Sequence, residues 1–494
     1  MREDCPATAV MTTGGDGRIT LDPATGLNRY HSAPRPQGVL AYASSTANDI
    51  SSAAFAHVGR LLEEIGPDLS AADYAERLEG LRRRIREAYS VPPDVELVFA
   101  PSGTDLEYVA LACVQGEAPG GTHNILLGAD EVGSGCIHSA HGRYFADTTA
   151  LGLATKPGDP VPGLGETRVG MIDVPVRDPD GRPHPSAEIA VAMDAAIGEA
   201  EEKGRHVLIH VVHGSKTGLI LPDLSDIDRL RAAHGERVTF AVDACQARIT
   251  SPAVADYLER DAIVFLTGSK FMGGPPFSGI ALVPPALAQR AARLPEGLAT
   301  IFARGEWPAN WPGAQALPER ANPGLLLRLE ASIFELERFQ RLSLDEATRV
   351  ILAFHQAVRD EIVDRTPARR VAPYAQGEQE TADTHPIEMR TLSTLDLSGF
   401  GGGGGGGSGQ AGATFEDAVR WHKALLAHGV RLGQPVKCVK LDDGRWGATL
   451  RIGLSMPMVV ERAGLADGPL ADAFAADMRR IRAALEAVAA QDPQ

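Results

Sequence analysis

An α/β fold is predicted here: a mainly parallel sheet flanked by helices on both faces, followed by a smaller C-terminal α+β domain. Two observations predict it. Between residues 95 and 284, short apolar runs alternate with stretches whose apolar residues recur at helical spacing, the pattern of strands buried on both faces by crossover helices. Beyond Ala303 that alternation stops, and longer helical stretches with fewer strands take its place.

The elements follow in order. Residues 1–35 mix Gly, Pro, Thr and charge without periodicity, and read as an N-terminal arm or disordered leader. Residues 53–65 and 71–90 carry apolar residues at helical spacing, "VELVFA" is a short buried strand, and "PSGTDLEYVALACV" is a turn opening into a helix. "HNILLG" is a strand and "SGCIHSAHGRYFAD" the next helix; "VGMIDVPV", "HVLIHVVH", "VTFAVDA" and "DAIVFLTG" are strands separated by helices at 186–203, 224–234 and 253–260, and "GIALVP" is a further strand. The large unit is expected to span 36–320. In the smaller one, 321–494, residues 325–365 read as strongly helical, strands fall near "HPIEMRTLST" and "ATLRIGL", and helices at 415–428 and 471–490. A glycine-rich loop at 399–409, with a run of seven glycines at 401–407, has too much backbone entropy to lose for a helix or well-packed strand.

Bulk properties exclude several functions. A net charge of −16 argues against nucleic acid or an anionic membrane surface as partner. No apolar run approaches the roughly 20 residues that span a bilayer, and the acidic N-terminal segment has no signal-like apolar core, so a cytoplasmic location is expected. The five cysteines (Cys5, Cys113, Cys136, Cys245, Cys438) have no C-x-x-C spacing, which argues against a disulfide framework and a zinc site.

Chemistry concentrates between residues 240 and 282. Asp243 in "FAVDACQAR" ends one buried strand, and Lys270 in "FLTGSKFMGGPPFSG" follows the end of another. In open parallel sheets ligands gather at these carboxyl ends. An acid and a lysine so placed are what a pyridoxal phosphate enzyme requires. The lysine amine forms a Schiff base with the cofactor aldehyde and later moves the substrate Cα proton, while the carboxylate pairs with the protonated ring nitrogen. Asp243 also suits a helix N-cap. Ser102, Gly103 and Thr104 open a helix after a strand, where free N–H groups and hydroxyls cradle a phosphate or cap the helix.

Four elements, "HGSKTG", "VDACQA", "TGSKFMGGPPFSG" and "LRIGLS", occur in the order seen in the class V aminotransferase and cysteine desulfurase branch of fold-type I pyridoxal phosphate enzymes, which the chain resembles from about residue 40 to about residue 460. The resemblance implies a seven-stranded type of sheet and pyridoxal 5'-phosphate as cofactor. It also implies Gln246 on the cofactor phenolic oxygen, Thr267 and Ser269 near the phosphate, His213 and Ser215 beside the ring, and Arg451 gripping a substrate α-carboxylate. A planar guanidinium in an apolar strand interior suits that grip, or else a buried ion pair. Ser269 stands where relatives often have His. At the ring-stacking position the chain offers Glu131 and Val132, with His138 and His141 as alternatives. The resemblance further implies a homodimer with shared active sites, to which Trp307, Asn310 and the turn at 273–276 would contribute.

The expected function is a pyridoxal phosphate-dependent aminotransferase acting on an α-amino acid and a 2-oxo acid. A lyase cleaving a β- or γ-substituted amino acid is the alternative, and a non-catalytic scaffold of the same fold is the answer of another class. Cys438 in "GQPVKCVKL" lacks the Ser-Gly-Ser-Ala-Cys setting of a desulfurase nucleophile.

Overall fold

The computed structural model describes residues 6–491 except 44–46, 67, 130, 134, 165–168, 376–385 and 402–411. The glycine run beyond Gly401 lies outside the described residues. The main sheet has seven strands in the order Glu96–Ala100, Gly279–Val283, Ile263–Thr267, Val238–Asp243, His206–His213, Thr122–Leu127 and Val169–Val174, with the short Ile220–Leu221 paired to His206–His213. The last five of the seven run parallel. Gly279–Val283 is antiparallel to both neighbours, because it returns directly from the turn after Lys270 without a crossover helix.

Alternate residues of these strands feed two apolar layers. Leu97, Phe99, Ile209, Val211, Val242 and Leu266 face the helices Ala71–Tyr89 and Pro323–Gln340. Val98, Ala100, Leu208, Ala241 and Phe265 face Leu106–Val114, a helix buried at every position. A second core lies between a three-stranded antiparallel sheet (Arg369–Val371, Leu392–Asp396, Thr449–Gly453) and the helices Leu344–Glu361, Phe415–Ala424 and Asp467–Gln491. No helix among the described residues is long and apolar enough to cross a membrane.

Several elements differ from the sequence expectation. The stretch 325–365 is two helices, because Ser343 and Glu346 form a capping box that starts a new one at Leu344. The expected helix at 134–147 is confined to Cys136–Ala140. Two three-residue strands, Leu40–Tyr42 and Val430–Leu432, pair in parallel and tie the two ends of the chain together.

The largest correction concerns the leader. Residues 6–35 are not a disordered arm in the structure: Pro6–Met11 is a helix, and Ala7 and Met11 are buried against the helices Ser52–Ile65 and Pro323–Gln340. Arg328, fully buried, donates to the carbonyls of Met11 (2.8 Å), Thr13 (2.6 Å) and Gly14 (2.9 Å). Gly14 has φ +64 and a Cβ there would overlap Asn322 Oδ1 at 1.7 Å, so only glycine fits. One short helix and polar contacts to irregular backbone dock this segment, too little regular pattern for periodicity to read.

Candidate active site

Asp243 and Lys270 line one cavity at the carboxyl ends of the parallel strands. It encloses about 1090 Å³ of free space, its open mouth included, which is room for a cofactor and a small substrate. Asp243 ends its strand and is fixed by the backbone N–H of Cys245, 3.0 Å from its Oδ1. The turn carrying Lys270 is held in two ways: Asn48 Nδ2 donates to the Lys270 carbonyl (2.7 Å), and Gly268 and Gly274 press against Ser332, where an added Cβ would come within 2.1 and 2.0 Å of its Oγ. The glycines on both sides of the lysine are therefore demanded by helix Pro323–Gln340.

Ser102, Gly103 and Thr104 lie on the cavity wall, as do Thr267 and Ser269. The Ser102 hydroxyl donates to Asp105 Oδ2 (2.6 Å), and Thr267 donates to the Cys245 carbonyl (2.7 Å). Gln246 lines the cavity while its Oε1 accepts from the buried Arg248 guanidinium (2.6 Å). Arg451 enters from the three-stranded sheet and donates to the carbonyls of Gln434 (2.9 Å) and Lys216 (3.0 Å). No carboxylate among the described residues lies within ion-pair distance of it, and burial pushes its pKa down to about 10. The buried ion pair that the sequence left open is therefore absent among the described residues.

His213 is not part of the cavity wall. Its Nδ1 faces the Tyr257 hydroxyl at 3.2 Å, and the next residues, Gly214, Ser215 and Lys216, line the cavity instead. A strand's side chains alternate in direction, and His213, at the end of His206–His213, is buried beside Tyr257 rather than on the cavity wall. Ser215 donates to Glu131 Oε2 (2.8 Å), and Glu131 also takes Arg177 (2.8 Å) and the Thr217 hydroxyl (3.0 Å). Despite burial, Arg177, Ser215 and Thr217 hold this carboxyl below the usual range. Glu131 is thus a saturated hub, and Val132 and Gly133 complete that wall; His138 and His141 lie outside it. Trp307 is buried against Phe302 and Trp311, so its ring is not free to reach a neighbouring copy.

Sequence reasoning passed over Glu107 and Arg18, and did not assign the cysteines to the site. Glu107 lines the cavity and stands 3.1 Å from His210 Nε2, both fully buried. Burial and Asp243 push the Glu107 carboxyl up, and burial pushes His210 down to about 4, so both shifts favour the uncharged forms across this contact. Cys136 and Cys245 also line the cavity, and burial with neighbouring acids holds both thiols well above the ordinary value. Arg18 reaches the cavity from the docked leader.

No family model matches the chain, and no curated protein does. Solved structures do. A ureidoglycine–glyoxylate aminotransferase from Bacillus subtilis superposes with TM-score 0.54 at 12% identity, covering 92% of this chain and 93% of that one. A cysteine desulfurase from Escherichia coli gives 0.55 at 15% identity over 91% and 95%, and a pyridoxamine–pyruvate aminotransferase from Mesorhizobium loti gives 0.51 at 15% over 92% and 98%. The fold is that of the fold-type I transferases. Within this fold-type I framework the cavity occupies the strand-end position that the sequence motifs indicated.

Proposed function

We propose that the protein is a pyridoxal phosphate-dependent enzyme acting on an α-amino acid, and that its reaction is transamination. One observation carries the reading: Lys270, Asp243 and a buried Arg451, which has no ion-pair partner among the described residues, line a single cavity together with the hydroxyl turn Ser102–Gly103–Thr104. The donor set fits the group. Lys270 supplies the amine for its aldehyde, Asp243 the anion for its ring nitrogen, Gln246 a polar contact, and Ser102, Thr104, Thr267 and Ser269 the hydroxyls for its phosphate. When bound, the cofactor supplies the electron sink that makes the substrate Cα proton acidic.

The chain's own residues then do the rest. Arg451 binds and orients the α-carboxylate, and Lys270 removes and returns the proton at Cα. The neighbours include aminotransferases and a desulfurase, so the fold does not choose between reactions, and the reading of transamination is supported by the side chains around the cavity. Desulfuration needs a thiolate, and Cys136 and Cys245 are held protonated while Cys438 lies off the cavity wall. The burial and placement of these cysteines support transamination over desulfuration.

The test is spectroscopic, then kinetic. Purified protein supplied with pyridoxal 5'-phosphate should gain an absorbance near ~420 nm that the K270A variant lacks. Amino donors should then release a 2-oxo acid and require an oxo-acid acceptor; release of ammonia without an acceptor would overturn the aminotransferase reading.

A further inference from the structure

Arg18 is the residue of the docked leader with the clearest chemical consequence. Its NH1 lies 3.2 Å from Thr104 Oγ1 and its NH2 3.4 Å from Ser102 Oγ, the two hydroxyls of the turn that opens Leu106–Val114. The guanidinium is sandwiched between the rings of Phe145 (4.9 Å) and Phe277 (4.7 Å), and Asp16 holds it through Nε (2.9 Å) and NH2 (2.7 Å). Asp105, on Ser102, is the other acid nearby. Five partner residues thus fix one cation at the hydroxyl end of the cavity, and Arg328 and Asn322 fix the backbone that carries it.

We propose that Arg18 is a cofactor-phosphate residue supplied in cis by the N-terminal segment. It closes the phosphate end of the cavity while also donating to the hydroxyl oxygens of Thr104 and Ser102, the latter already donating its own proton to Asp105. Arg is suited to this because its planar fork serves an anion and two hydroxyls at once, which an ammonium does less well. Asp16 orients the fork while leaving its outer edge on the cavity wall. The inference rests on the reading of the cavity as a pyridoxal phosphate site, and it gives the leader a function that composition did not reveal.

The experiment separates the phosphate from the rest of the cofactor. The full chain, stripped of cofactor, is titrated with pyridoxal 5'-phosphate and with pyridoxal, which lacks the phosphate, following visible absorbance and tryptophan fluorescence. R18Q should weaken binding of the phosphorylated compound about tenfold or more while leaving pyridoxal affinity unchanged, and R18K should fall between. Equal affinity of R18Q and wild type for pyridoxal 5'-phosphate, or an equal loss for both compounds, would overturn the assignment, the second because it marks a packing role between the two phenyl rings. R18K alone decides the matter if R18Q does not fold, by the same phosphate-specific difference. A wild-type chain that binds neither compound in a Lys270-dependent way sinks the cofactor reading itself, and this assignment with it.

Discussion

Arg18 and Arg451 reach the same cavity from opposite ends of the chain, and they are held there by opposite means. Arg18 is paired with Asp16, so its charge is already balanced before anything binds. Arg451 is fully buried with its donors on backbone carbonyls, and the nearest acid acting on it, Glu131, is committed to Arg177. A buried, unpaired cation is costly, and an incoming carboxylate offsets that cost. On the proposed reading, the difference assigns the Arg451 end to taking up and releasing an anion and the Arg18 end to retaining one by directed hydrogen bonds.

The harshest way to break this comparison is to remove what both ends serve. K270A should abolish turnover and the cofactor-dependent absorbance together, measured on protein whose circular dichroism matches wild type. If activity survives, neither arginine is arranged around a lysine-bound group.

Removal of one arginine sharpens it. R451M should lower kcat/KM for amino acids about 100-fold, chiefly through KM, and leave pyridoxal 5'-phosphate affinity unchanged, because a charge-assisted bidentate contact is worth roughly 1.5–3 kcal/mol. A loss of cofactor affinity in R451M, with substrate KM unaltered, would reverse the roles given to the two ends.

The two arginines also differ in how far the sequence revealed them. Arg451, Lys270, Asp243, Gln246 and the turn at 102–104 sit at strand ends or inside a strand, where local apolar patterning fixes direction, and a linear motif is enough to place them in one cavity. Arg18 sits in an irregular segment whose position is set by Arg328, some 300 residues away, so nothing local could announce it. Glu107 was hidden for a related reason: it stands in a helix buried all round, where no polar face marks the functional side. His213 stands one residue before the stretch Gly214–Lys216 that lines the cavity, a one-residue step that a linear motif does not resolve. The short pair Leu40–Tyr42 and Val430–Leu432 is below the length at which alternation can be read.

Titration distinguishes the two surroundings with opposite signs. Beside Arg18, burial pushes Asp105 from 3.8 up to about 7, so the folded state binds this proton more tightly and stability is lost as pH rises from 4 through 7. Near Arg451, burial pushes His422 from 6.5 down to about 4, so stability is fully present above pH 6.5 and is lost as pH falls towards 4. Each group contributes about 1 kcal/mol per pH unit within its window. Melting temperatures should show D105N flattening the decline on the neutral side and H422Q flattening part of the decline on the acid side, with His206 and His210, also near 4, retaining the remainder. Identical pH profiles for D105N and wild type would mean that this carboxyl is ionised throughout.

The smallest effect is expected from Cys438, which lies in the Arg451 half of the molecule but not on the cavity wall. Burial pushes its thiol up to about 12, partly against the pull of Arg177, and leaves it without the thiolate character that a sulfur-accepting nucleophile needs. C438A should therefore keep turnover within about twofold of wild type, as expected of a small core substitution that touches no reacting group. The native thiol should react with an alkylating reagent only after unfolding, since attack requires both exposure and ionisation. If C438A loses activity towards cysteine while retaining it towards other amino acids, the anion-accepting end of the cavity is serving a sulfur transfer, and Arg451 is positioning a substrate whose side chain reaches that loop.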